Sequence, residues 1–134
     1  MEIYTIVCSE DSVSNPCTNT VDGSYATRER AVEACVENIM KRLETRCDIA
    51  YGAFHDANHE QLKDEILSVC DEDEANLYFC RDCKECELPE KVWDVVYRYI
   101  VDEVRSSGFY YIYVSTGDYE EFRFDIVKNN LEEN

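Results

Sequence analysis

Residues 109–127, "FYYIYVSTGDYEEFRFDIV", decide the fold. The first six are all aromatic or aliphatic. After the Ser-Thr-Gly-Asp stretch, Phe122, Phe124 and Ile126 alternate with charged side chains. Alternation with a period of two marks a strand that buries one face, and turn residues between two such runs join them as an antiparallel hairpin. The turn is expected near Thr116–Tyr119. Phe109, Tyr111 and Tyr113 share one face, and Tyr110, Ile112 and Val114 share the other. One face must be core. The second carries more aromatic area than water requires, which points to a protein contact there, such as a homodimer through 109–127.

A hairpin alone is not stable and needs another strand and a covering layer. "EIYTIVC" (2–8) alternates in the same way and supplies the strand. The polar stretch that follows, with Asn-Pro and Asp-Gly turn signals, predicts a loop with room for a short strand near 20–25. The covering layer comes from the middle of the chain. Thr27 is an N-cap candidate, and Val32, Cys35, Ile39 and Leu43, beside Ala31 and Val36, recur at helical spacing over about 28–46. Asn58 with Gln61 forms a capping-box pattern before a helix over about 59–70, striped by Leu62, Ile66 and Val69. Pro89 opens a third helix and Gly108 stops it, with Val92, Val96, Tyr99, Ile100 and Val104 inward. "DEDEA" (71–75) is expected to be an acidic turn, and 129–134 a loose tail. The expectation is therefore one α+β domain over 1–134. A small, mostly antiparallel sheet, formed by the N-terminal strand and the C-terminal hairpin, is covered by about three helices and carries a Cys/His-rich, zinc-binding helical insertion at 47–90.

That insertion rests on "YFCRDCKECELPE" (78–90), where Cys80, Cys83 and Cys86 lie three apart. Thiolates are soft and anionic, and a two-residue gap lets two of them reach one ion from a tight turn. The fourth ligand could be Cys70, His59 or His55, with Cys47 more distant. A structural zinc that fixes the angle between two helices is the reading adopted. The competing readings are reduced thiols and an iron–sulfur cluster, but the latter's run would end in Cys-Pro where this chain has Cys86-Glu-Leu-Pro. "HDANHE" (55–60) displaces the Glu of the H-E-x-x-H pattern, which argues against a catalytic zinc. Cys8 and Cys35 sit in apolar periodic segments as small core residues, and Cys17 in a polar loop.

The 134 residues carry 13 Lys and Arg against 30 Asp and Glu, a formal charge of −17. Such a surface repels phosphates and anionic lipids and attracts basic partners. No apolar run reaches membrane-spanning length, and the start of the chain does not resemble a secretory signal, so an intracellular setting in cytoplasm or nucleus is expected. No phosphate-binding or nucleophile-elbow motif is present, and four Gly leave little to build one.

Gly23, Tyr25, Thr27, Glu29 and Ala31, after the opening strand, form a G-x-Y-x-[ST]-x-E-x-A helix entry, and "FRFDIVKN" closes the pattern. These two ends resemble small uncharacterised α/β proteins of bacteria and of large nucleocytoplasmic DNA viruses. The resemblance implies a compact α/β fold, no known activity, and a viral origin that would make the setting a host cell. The functional expectation is a non-enzymatic acidic interaction protein with a structural zinc site, engaging a basic host or viral protein. A zinc- or thiol-dependent enzyme is the alternative, and a zinc-containing nucleic-acid-associated protein the second.

Overall fold

The computed structural model describes residues 2–12, 18–56, 59–79, 88–116 and 118–130. The elements run β1 (Glu2–Ser12), β2 (Thr18–Tyr25), α1 (Arg28–Thr45), α2 (Cys47–His55), α3 (Glu60–Leu67), α4 (Glu72–Tyr78), α5 (Glu90–Ser107), β3 (Phe109–Thr116) and β4 (Asp118–Asn130). The fold is α+β, and the strands form one antiparallel sheet in the order β2-β1-β4-β3.

The period-two patterns account for the layering. Cys8 pairs with Phe124, which pairs with Tyr110; Glu10 pairs with Phe122, which pairs with Ile112. These cross-strand rows put Cys8, Phe122, Phe124, Tyr110 and Ile112, with Ile6, on the buried face. The helices cover that face. Thr27 caps α1, its side chain accepting from the Arg30 N–H, and Ala31, Val32, Cys35, Val36, Ile39 and Leu43 are buried. Two arginines, one in α1 and one just past it, fasten the helix to the sheet. Arg42 lies over the rings of Phe124 and Phe122 (5.4 and 5.7 Å to the centroids) and pairs with Glu10. Arg46, just past the helix, lies over Phe122 at 5.6 Å and pairs with Glu120 at 3.2 Å.

Helix α5 buries the expected stripe of Val92, Val96, Tyr99, Ile100 and Val104. It ends at Gly108 with φ of 78°, and the Gly108 N–H donates to the Val104 carbonyl at 2.8 Å. Only Gly enters that region without a Cβ penalty, so the stop is also the sharp entry into β3.

The structure corrects several expectations. Five helices are seen among the described residues where about three were expected. "DEDEA" is not a turn: it begins α4. Asp71 is the N-cap, its side chain accepting from the Glu74 N–H at 2.7 Å, and Glu72, Asp73 and Glu74 occupy the first turn, where the helix dipole favours carboxylates. The described residues of 47–90 do not form an insertion set apart. Ile49, Phe54, Leu62, Ile66 and Ala75 belong to the same hydrophobic cluster as Ile39 and Ile112, because α2 packs along β3 and α3 along α5. The Asp-Gly signal lies inside β2 as a bulge: Ile6 pairs with Gly23 and Val7 with Val21, so Asp22 is the extra residue. Strand β4 continues to Asn130, opposite Glu2, so the tail is ordered that far; 131–134 lie outside the described residues.

Burial also makes the core sensitive to alkali. It pushes the Cys8 thiol up to about 11 and the Cys35 thiol to about 12 from an ordinary value of 9, and the Tyr99 hydroxyl to about 12 from 10. Each group holds its proton more tightly folded than unfolded. The stabilisation is therefore complete below the ordinary values and is lost as pH rises through the folded ones. The urea midpoint should be insensitive to these groups up to pH of about 9 and should fall steadily between about 9 and 12. Cys35→Ala should shallow that decline. A flat midpoint across the window would refute the burial of these groups.

Candidate functional site

Of the residues proposed to hold zinc, Cys80, Cys83 and Cys86 lie outside the described residues, as do Asn58 of the expected capping box and Cys17. His55, His59 and Cys70 are described, and the fold separates them into different surroundings. His55 is the last residue of α2 and is exposed; its ring lies 4.4 Å from that of Tyr51 and 4.8 Å from that of Phe54. Partial burial, then the Lys63 ammonium, lowers its pKa, which favours the neutral ring. Cys70 follows α3, buried, with its Sγ 3.4 Å from the Ile66 carbonyl; burial raises its pKa, with Glu74 adding to the effect. The two histidines do not share a helix face, since α2 ends at His55 and α3 begins after His59. Among the described residues no group of three or more His, Cys, Asp or Glu could hold a metal, and the expected zinc-binding insertion has no support there.

His59 has a different place. It is the buried N-cap residue of α3, and its Nε2 lies 3.0 Å from the Tyr111 carbonyl oxygen and its Nδ1 2.8 Å from the Tyr99 hydroxyl. A carbonyl can only accept, so Nε2 carries a proton, and in the neutral ring Nδ1 accepts from Tyr99. The imidazole stacks on the Tyr110 ring at 4.6 Å with 8° between planes and meets Tyr99 edge-on at 5.6 Å. Both nitrogens are thus engaged, and a metal could take one only by displacing a buried hydrogen bond. Strand β3 is the end strand of the sheet, and the Nε2–H satisfies a carbonyl on its edge. In sequence, a histidine before a helix gave no sign of this; the aromatic density of 109–113 was the available signal that a polar group would be sandwiched there.

The Tyr110 hydroxyl, beneath that stack, is fully buried and has no hydrogen-bond partner among the described residues. Its pKa is raised well above the ordinary value by burial, with Tyr99, Asp56 and Glu103 adding to it. A cleft of about 450 Å³ opens beside it, lined by His59, Glu103, Phe109, Tyr110, Tyr111 and Arg123.

The second face of the sheet is partly exposed among the described residues. Phe109 and Tyr113 are 39% and 37% exposed. The face is not purely apolar: Arg123 lies 4.7 Å over the Phe109 ring and pairs with Asp125 at 2.9 Å. The thiols Cys8, Cys35 and Cys70 are buried with raised pKa values, which makes each a poor nucleophile at neutral pH. No helix among the described residues is long and apolar enough to cross a membrane.

The two tyrosines around His59 should respond in opposite ways. Tyr99→Phe strands the buried Nδ1 and should cost about 1–3 kcal/mol. Tyr110→Phe removes an unpartnered buried hydroxyl and should leave stability unchanged or raise it. Urea unfolding of the pair is the measurement, and equal losses would contradict a bonded Tyr99 hydroxyl beside an unbonded Tyr110 hydroxyl.

The chain matches no family model, no curated protein and no solved structure.

Proposed function

We propose that the protein is a non-enzymatic acidic interaction protein that engages a basic protein partner. One observation carries the reading: cations of the described residues are engaged by the protein's own carboxylates, and the acidic excess far outnumbers them. Arg42, Arg46, Arg105, Arg123 and Lys128 pair with Glu10, Glu120, Glu29, Asp125 and Glu2. The acidic excess of −17 is left for the surface, where Glu33, Glu37, Asp64, Glu72, Asp73, Asp94 and Asp102 are all exposed. Such a field draws a cationic partner in and turns nucleic acid and anionic lipid away. A basic host or viral protein is the partner that the resemblance at the two ends would supply. A thiol enzyme built on Cys8, Cys35 or Cys70 is disfavoured by their burial, and a nucleic-acid role by the charge.

A short oligoarginine peptide carrying a fluorophore should bind by anisotropy at low salt and weaken as salt rises, while duplex DNA should not bind at physiological salt. DNA binding that survives such salt, or indifference to the peptide, would sink the reading.

Structural zinc belongs to the same proposal and rests on the spacing of Cys80, Cys83 and Cys86. With His59 engaged by Tyr99 and Tyr111, Cys70 and His55 are the better fourth ligands. Pairing of two copies through the sheet face of Phe109 and Tyr113 is supported by their exposure. Native mass spectrometry reads both at once. The expected species is a dimer with one zinc per chain; a metal-free monomer at micromolar protein would remove both additions and leave the acidic-surface reading intact.

A further inference from the structure

Helices α1 and α5 pack side by side, and a groove of about 350 Å³ runs between them. Its lining is Met40 and Glu44 from α1 and Trp93, Asp94 and Tyr97 from α5. Trp93 and Tyr97 are four apart on one helix and therefore adjacent on its surface. Trp93 packs partly against the core, whereas Tyr97 is 48% exposed although it is a large aromatic. The two rings form a ledge with a thioether beside it. The lining contributes two exposed carboxylates, Glu44 and Asp94, and no cation.

We infer that this groove seats an arginine side chain of the basic partner, an inference that rests on the acidic-interaction reading above. Aromatic faces attract cations through their quadrupoles, and indole does so best. A guanidinium is planar, weakly hydrated and rich in donors, so it stacks on such a ledge while its edge serves carboxylates. A lysine ammonium is compact and strongly hydrated and would gain less from the rings. Apolar peptides have no use for Glu44 and Asp94, which would lose water against them. A second copy of this chain would bring its own −17 to an acidic groove. Trp and Tyr are enriched at interface hot spots, and here they stand beside two exposed carboxylates.

Trp93 is the chain's single tryptophan, so its emission reports on this groove and on no other acidic patch. The test titrates capped oligoarginine and oligolysine peptides, following Trp93 emission and peptide anisotropy together. Oligoarginine should change the emission in step with binding, and oligolysine should bind more weakly. Glu44→Gln with Asp94→Asn should weaken oligoarginine roughly fivefold, the combined size of two surface ion pairs. Tyr97→Ala should act in the same direction. Glu72→Gln with Asp73→Asn, which removes equal charge on α4, should change affinity less than about twofold. Equal effects of the two double variants, or anisotropy without a Trp93 response, would overturn the groove as the seat while leaving the basic partner in place. Oligolysine matching oligoarginine in affinity and emission would overturn the choice of arginine. No binding of either peptide at low salt would overturn both the groove and the reading beneath it. All substituted residues are exposed, and far-UV circular dichroism confirms that each variant is folded.

Discussion

The imidazole of His59 joins three parts of the molecule that have no covalent reason to meet. It sits at the start of α3, accepts from Tyr99 in α5, donates to the backbone of β3 and stacks on Tyr110. An end strand exposes a row of backbone donors and acceptors, and proteins cover such rows or make them unattractive to pair with. Here α2 lies along β3 and His59 takes one of its edge carbonyls directly. The placement of the helical layer on the sheet therefore depends on a polar contact made inside an apolar core. A low local dielectric strengthens such a bond and makes its loss expensive.

A second constraint is how arginine is used. Arg42 and Arg46 spread their side chains over Phe122 and Phe124 and end at carboxylates on the sheet, so their stems serve as packing and their heads as ties. Arg105 does the same work between α5 and α1: its guanidinium pairs with Glu29 at 2.7 Å, and its carbonyl accepts from Arg28 at 2.6 Å. Each such pair also occupies a carboxylate, so the formal charge of −17 stands whatever the pairing, and the negative field follows from composition.

The sequence disclosed the elements whose periods are clean. β1, α1, α5 and the β3–β4 hairpin were legible because apolar residues recur at two or at three-to-four, and Thr27 and Gly108 marked boundaries by their backbone chemistry. α2 was not legible. "CDIAYGAFH" is short, largely apolar and interrupted by Gly52, so it shows no polar face to set a period. α4 was missed for a different reason: its acids looked like a solvated turn, although an Asp N-cap followed by three carboxylates is a helix-start signal. Asp22-Gly23 looked like a turn because the same positive φ serves a turn and a bulge. At the candidate site, the histidines stood out by rarity, but rarity says nothing about whether a ring nitrogen points at a metal or at a tyrosine. That depends on which strand edge the loop before α3 meets, a long-range fact absent from local pattern.

The order β2-β1-β4-β3 sets a schedule for a chain made from one end. β1 can zip to β2 as soon as both have emerged, but its other edge waits for β4, whose register runs from Ser12 opposite Glu120 to Glu2 opposite Asn130. More than a hundred residues of helix and strand separate those partners. Until β4 emerges, a nascent chain holds a central strand with one side unpaired and apolar residues such as Ile6 and Cys8 without their cover. Pairings of such sequence separation are slow to find, and strands left open in the meantime attract other chains. Ribosome pausing late in synthesis, or a holding chaperone that covers β1, would therefore affect the yield of this protein more than that of a helical bundle of the same length.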